Sequence, residues 1–326
     1  MRQYYASIDL GSNTCRLMVV RYENGEITPV DAFARVIRLG EGLVNTGRLK
    51  EDAMVRAIDA VRVCIKRAKA YPNVLLQAVA TEACRAASNG AWFLERLEHE
   101  TGLKVELISR EDEARYSLLG CHSLLNAVEA RRALVFDIGG ASTEVIYANR
   151  DANKAIAMVD WTSIPYGVVT LSESRNLNCA TQYRDAVHQV EEALSLFNER
   201  HRLDEAISSG EVQLVATSGT VSTLVAIHLG LRRYDREAID GAVITTQSLE
   251  NVIKQVQMMS PEERAFHPCI GGDRTDLVLA GCAILEGLIT VWPAEYLKVG
   301  DRGVRDGVIA AMIAQANGQQ PQTPAA

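Results

Sequence analysis

The chain has 326 residues, enough for two domains of ordinary size with a core in each. Apolar residues make up 48% and charged residues 23%, with no membrane-spanning apolar run and no signal-peptide pattern, so a globular cytoplasmic protein is expected. The net charge of −7 argues against a nucleic-acid-coating surface, although local arginines can still take an anionic substrate.

In chain order, a strand is expected over 4–10, a small-residue loop over 11–14, a strand over 15–22, a turn at Asn24-Gly25 and a third strand over 26–33. Gly42 to Arg48 has the glycine spacing of a P-loop but Arg for its Lys and Leu for its Ser/Thr, so that motif is rejected. Met54, Ile58, Val61, Ile65 and Ala68 recur at helical spacing and predict a helix over 51–70. A strand over 74–80, a helix over 88–101 stopped by Gly102 and a strand over 104–108 follow. Ser109 has the place of an N-cap, with Asp112 three residues on. Glu111, Asp112 and Glu113 fill the first turn of that helix, where helix-dipole stabilisation accounts for acids in general without requiring any one to be catalytic.

Residues 133–150, ALVFDIGGASTEVIYANR, read as a β-hairpin around a small-residue turn. Glycines let backbone N–H groups approach a ligand and form an anion-binding nest, although an ordinary Gly-rich hairpin has the same composition. Asp137 beside such a nest would repel phosphate unless a cation intervened, which points to Mg²⁺. Residues 4–21, YYASIDLGSNTCRLMVVR, repeat the plan 128 residues earlier, with Asp9 for Asp137, Gly11 for Gly139 and Thr14 for Ser142. Two such units suggest a duplicated domain, each copy lending one loop to a shared cleft.

Further on, a strand over 155–159, a helix over 183–200 and a strand over 212–216 are expected. Thr217 to Thr220 opens a helix over 221–229, either as an anion site or as simple Ser/Thr capping. Helices over 248–258 and 275–291, a strand over 294–299 and a last helix to about Ala316 complete the series, and 317–326 is expected to be a disordered tail. The domain boundary is expected near 126–131, giving domains over 1–128 and 129–316. Seven cysteines without a CxxC pair read as core residues of a reducing compartment, and six scattered histidines argue against zinc.

IDLGSN (8–13), VATEACRAASN (79–89), REDEAR (110–115), FDIGGASTE (136–144), ATSGT (216–220), DRTDLVLAG (273–281) and DRGVRDG (301–307) stand in one order. Together they resemble the exopolyphosphatase/guanosine pentaphosphate phosphatase family in its short form, within the actin/Hsp70/sugar-kinase superfamily. The resemblance spans 4–312 and implies an α/β fold of two duplicated ribonuclease-H-like (actin-like ATPase) domains with an interdomain cleft. It implies an exophosphatase that removes terminal phosphates from polyphosphate or guanosine pentaphosphate with Mg²⁺, needs neither nucleic acid nor membrane, and is compatible with a homodimer. By the same resemblance Glu113 is the water-activating catalytic glutamate, Asp137 the metal-associated carboxylate and Glu144 the acid after that loop. Asp9 joins Asp137 near the metal, and phosphate contacts fall on Ser12, Asn13, Arg16, Arg85, Gly139, Gly140, Ser142 and Arg274. The chain departs from the family pattern at Glu82, Arg110, Asp112, Ala141 and Ser218. Two other readings remain: a kinase of the same superfamily, which would need an acceptor pocket and an adenosine site, and a non-catalytic nucleotide-binding regulator, against which the set Glu113, Asp137 and Glu144 argues.

Overall fold

The computed structural model describes residues 2–125, 131–150 and 156–318. The chain divides into two compact units, one holding the residues up to Gly120 together with those from Val304, the other running from Cys121 to Gly303. The expected boundary at 126–131 falls largely on residues outside the described ones, as does the expected tail beyond 318.

In the first unit, β1 (Gln3–Leu10), β2 (Thr14–Glu23) and β3 (Glu26–Val36) form an antiparallel meander, and β4 (Leu75–Ala80) and β5 (Glu106–Leu107) extend it in parallel from β1, in the order β3-β2-β1-β4-β5. Asn24 and Gly25 both have positive φ, 54° and 87°, as a tight hairpin turn requires. One face of this sheet packs against the helix Glu51–Ala68, which buries the five apolar residues read from its periodicity. The opposite face is covered by the helix Val304–Ala316, through Ile309 and Ile313 on Tyr5, Met18 and Val20, and through Val304 and Val308 on Val79 and Ile108. Sequence order places this helix with the second domain, whereas its apolar face is buried on the first sheet.

In the second unit, β6 (Arg132–Ile138), β7 (Thr143–Arg150) and β8 (Ile156–Ile164) form a second meander. β9 (Val212–Thr217) runs parallel to β6, β11 (Tyr296–Gly300) parallel to β9, and β10 (Val243–Thr245) closes the order β10-β11-β9-β6-β7-β8. Helices Ala180–His201, Gly219–His228, Thr246–Met258 and Val278–Val291 enclose the core with Trp292. Helix Val278–Val291 is apolar nearly all round because it is buried on most sides.

The duplication extends to irregularities. The register between β1 and β2 pairs Asp9 with Arg16, and that between β6 and β7 pairs Asp137 with Glu144, so Arg16 and Glu144 hold equivalent positions with opposite charge. The second strand of each meander breaks register at the same place in pairing with the third, between Val19 and Val20 and between Tyr147 and Ala148. Among the described residues, no helix is long and apolar enough to cross a membrane. None of the seven cysteines forms a disulfide among the described residues, and Cys15 and Cys64 face each other with Sγ atoms 3.9 Å apart in the first core.

Candidate active site

The two hairpin loops are built alike. Gly11 N–H donates to Thr14 O at 3.1 Å, and Gly139 N–H donates to Ser142 O at 2.9 Å. The carbonyls of both loops are tied down by the segments that follow. Ser12 O accepts from Gly40 N–H at 2.8 Å, and Asn13 O accepts from Ile37 N–H at 2.9 Å and Arg38 N–H at 3.0 Å. In the second unit Gly139 O accepts from Val168 N–H at 3.0 Å and Gly140 O from Val169 N–H at 2.7 Å, both at the start of the helix Val168–Ser174. A trans peptide points its N–H opposite its C=O. Anchoring these carbonyls therefore turns the N–H groups of Asn13, Thr14, Gly140 and Ala141 the other way, as an anion nest requires.

Gly40 and Gly167 read in the sequence only as loop residues, with no role at a site. Arg38 has a left-handed φ of 48°, uncommon for a residue with a side chain, and its amide is one of the two on Asn13 O. A Cβ on Gly167 would lie 2.4 Å from the carbonyl carbon of Gly140 and 2.5 Å from Ala141 N, so only glycine lets this strand end meet the loop. Gly167→Ala is expected to displace the loop, lowering kcat/KM at least about tenfold and stability by about 1–3 kcal/mol; wild-type kinetics in the variant would show that the loop does not touch substrate. Ala141 does not have positive φ, so replacing the third glycine of the motif costs no backbone strain.

Asp137 lies at the end of β6, in register with Glu144 on one side and Thr217 on the other. Glu144 is 2% exposed, and its Oε1 accepts from Ser142 Oγ at 2.7 Å and Ser163 Oγ at 2.9 Å. Its negative charge is thus committed to orienting the loop serine. Residues 301–303 pass over Asp137: a Cβ on Gly303 would be 3.4 Å from Asp137 Oδ2, and the Thr217 hydroxyl donates to Arg302 O. Asp240 anchors this segment, taking Arg302 Nε at 2.9 Å and Nη2 at 2.7 Å and Asp301 N–H at 3.1 Å. Ser218 caps the helix Gly219–His228 by accepting from Val221 N–H at 2.9 Å, the simple capping role weighed for it, and Arg274 Nη1 reaches Thr223 on that helix at 3.3 Å.

In the first unit, Asp9 faces Arg16 across the hairpin, and helix Val304–Ala316 brings up Arg305 and Asp306. Burial pushes the Asp9 carboxyl above the usual carboxylate range, against the pull of Arg16 and Arg305 and with Asp306 adding to the rise. Ser7 Oγ donates to Arg305 O at 2.7 Å, holding that helix end on β1. Arg305 and Asp306 belong to the quoted DRGVRDG motif, but no role followed for them because chain order separates them from Asp9 by most of the sequence.

Ser12 Oγ accepts from Ala83 N–H at 3.1 Å, linking the first loop to the short helix Glu82–Ala86 that carries Arg85. Arg85 Nη2 donates to Glu113 Oε2 at 2.6 Å, its Nε to Glu82 Oε2 at 3.0 Å and its Nη1 to Ile108 O at 2.8 Å. Glu113 is 8% exposed in the first turn of the helix Arg110–Cys121. Ser109 opens that helix, its Oγ accepting from Asp112 N–H at 3.0 Å and donating to Asp112 Oδ2 at 2.6 Å. Glu111 turns outward to Arg115 at 2.7 Å. Of the three acids, Glu113 alone is buried and gripped by Arg85, while Arg85, expected on phosphate, is here engaged by two carboxylates and a carbonyl.

The Ppx/GppA phosphatase family model matches residues 18–316. The chain belongs to that family. A relative in Vibrio parahaemolyticus, the guanosine-5'-triphosphate,3'-diphosphate pyrophosphatase, is 29% identical over 313 residues, which is 95% of this chain but 59% of the relative. The chain thus spans about 59% of the length of the curated relatives it matches. The crystal structure of the Aquifex aeolicus Ppx/GppA member is similar at 27% identity, with a TM-score of 0.78 over 97% of this chain and 99% of that one. An exopolyphosphatase from Cytophaga hutchinsonii, 22% identical over 98% of this chain and 99% of that one, shares the fold with a TM-score of 0.84. The expected α/β fold with two sheet-containing domains is therefore the fold of Ppx/GppA proteins. Among the described residues, no group of three or more His, Cys, Asp or Glu could by itself hold a metal. Mg²⁺ does not need one, because it usually takes one or two carboxylates, with phosphate oxygens and water completing its shell. A single carboxylate such as Asp137 or Asp9 fits that chemistry.

Proposed function

We propose that this Ppx/GppA chain is a cytoplasmic exophosphatase that hydrolyses terminal phosphoanhydride bonds of guanosine pentaphosphate, inorganic polyphosphate or both. The observation that carries the reading is Glu113, a buried carboxylate fixed by Arg85 at 2.6 Å on the unit that also bears the first phosphate-type loop. A phosphoryl acceptor pocket would be needed for transfer, whereas a fixed carboxylate suits activation of water. The name of the Vibrio parahaemolyticus relative supports guanosine pentaphosphate as a substrate class.

In this reading phosphate oxygens are held on the first unit by the amides of 13–14 with Ser12 and Arg16, and on the second unit by the amides of 140–141 with Ser142 and Arg274. Glu113 accepts the proton of the attacking water, and Arg85 keeps the carboxylate in one orientation. Asp137 on the second unit and Asp9 on the first are each a carboxylate that would serve as a Mg²⁺ ligand, and the ion when bound would neutralise phosphate charge and orient oxygens. Glu144 acts through Ser142, whose hydroxyl it fixes. The substrate is a dissolved polyanion, and neither nucleic acid nor membrane enters; a homodimer is compatible with the reading.

Steady-state phosphate release on short polyphosphate, long polyphosphate and guanosine pentaphosphate, with Mg²⁺ and with a chelator, tests the reading. Release from at least one substrate, abolished by the chelator, is expected. Turnover only when a sugar or carboxylate acceptor is added would assign the chain to phosphoryl transfer instead.

A further inference from the structure

Glu82 and Arg110, which stand 28 residues apart in the chain, meet. Arg110 Nη2 lies 2.6 Å from Glu82 Oε1 and its Nε 3.0 Å from Oε2, a fork of two parallel bonds. Glu82 Oε2 also takes Arg85 Nε at 3.0 Å and lies 2.8 Å from Arg85 Nη2, which binds Glu113. The charges therefore alternate in one row, Glu113, Arg85, Glu82, Arg110. The first three side chains are 11–15% exposed and Arg110 is 54% exposed. Burial raises the Glu82 carboxyl, but the hydrogen bonds from Arg110 and Arg85 outweigh it and hold the group below the usual range.

Nothing about local stability calls for Arg110. A cation at the start of the helix Arg110–Cys121 opposes the helix dipole, and a half-exposed ion pair contributes little. Its consequence is for charge. With Arg110 the four named groups sum to zero; without it Glu82 and Glu113 share one arginine, and a net negative charge faces any incoming phosphate.

We propose that the Glu82–Arg110 pair is a positioning and charge-balancing device that sets how strongly the Arg85–Glu113 site accepts an anionic substrate. Arg110 neutralises Glu82, and Glu82 holds the second edge of Arg85 so that its other edge stays on Glu113. The proposal rests on the phosphohydrolase reading. It predicts an effect on binding more than on the chemical step, since neither residue contacts Glu113 through the bonds described.

A double-mutant cycle tests it, read in kcat and KM for phosphate release and separately in the Kd of inorganic tripolyphosphate by calorimetry. Arg110→Ala should raise KM and Kd about tenfold, more at low salt, with kcat within about threefold. Glu82→Gln, whose amide oxygen can still accept from Arg85 while the negative charge is gone, should leave both constants equal to or below wild type. The double variant should return them to within about threefold of wild type, because the remaining Glu113 and Arg85 again sum to zero. Arg110→Lys should rescue most of the loss if charge is what matters. A double variant as poor as Arg110→Ala would overturn the proposal and make Arg110 a direct phosphate ligand. A fall in kcat with constant KM would overturn it in favour of a purely structural pair. If wild type released no phosphate from any substrate the hydrolase reading would fail, yet the tripolyphosphate cycle would still decide this proposal; absence of tripolyphosphate binding to wild type would sink it.

Discussion

Glu113→Gln is expected to lower kcat by about 10²–10⁴ while the Kd for substrate hardly moves. Glutamine keeps the size of the side chain and can still accept one hydrogen bond from Arg85, so the local frame survives. It cannot take the proton of the attacking water. An interaction made only in the transition state shows itself as a loss in kcat and kcat/KM alike. The neighbours supply controls. Glu111 is exposed on Arg115 at 2.7 Å, so Glu111→Gln should change stability by at most a few tenths of a kcal/mol and leave the rate unaltered. Near wild-type kcat in Glu113→Gln on every phosphoanhydride tested would remove this residue from the base role.

Gly307→Ala should be among the most disruptive single substitutions in the first unit. A Cβ at Gly307 would lie 1.9 Å from the carbonyl oxygen of Tyr116 and 2.6 Å from its carbonyl carbon. Both are backbone atoms of another helix, so no side-chain rotation relieves the overlap. The helix Val304–Ala316 would have to lift, loosening Val304 and Val308 from Val79 and Ile108, and moving Arg305 and Asp306 away from Asp9. A cost of at least about 3 kcal/mol is expected, together with loss of activity. Calorimetry measures the loss as a lowered Tm. Gly272, around which nothing lies within 4 Å of a Cβ position, is the control, and Gly272→Ala should be near neutral. A Gly307→Ala protein within about 1 kcal/mol of wild type would contradict the close helix approach.

Acid should also act on the first unit. The folded-state value of the Glu82 carboxyl lies below that of the unfolded chain, near 4.3. Its contribution to stability is therefore present above that unfolded value and lost as pH falls through the lower folded one. Glu82→Gln should flatten the acid limb of the stability curve below about pH 4, and an unchanged limb would show that the pair contributes nothing there.

What was legible in the sequence was what repeats or alternates. Asp9 and Asp137 announce their loops because an acid, small residues and flanking apolar runs recur together. The amphipathic period of 51–68 marks a helix that does bury that face. The helices Glu82–Ala86 and Val168–Ser174 went unread because five and seven residues are too few to show a period. The expected strand 104–108 pairs only at Glu106–Leu107, at the sheet edge where a single neighbour holds it. The last helix was legible as a helix, but its apolar stripe does not say which sheet it covers. The Arg85–Glu82–Arg110 row was visible only as departures from a pattern, since residues 28 apart carry no local sign that they will meet.

The return of Val304–Ala316 to the first sheet orders the birth of the protein. During synthesis the strands that carry Tyr5, Met18 and Val20 emerge first, but the helix that seals them is made only after the whole second unit. The first unit therefore cannot be completed until residues 304–316 have been made, although N-terminal domains generally fold first during synthesis. The second unit, a continuous stretch, can close while the first still shows a bare apolar sheet face to the ribosome surface and to any holdase nearby. A translational pause before codon 304 would prolong that window, and premature termination there would release a chain with one finished half and one that cannot seal.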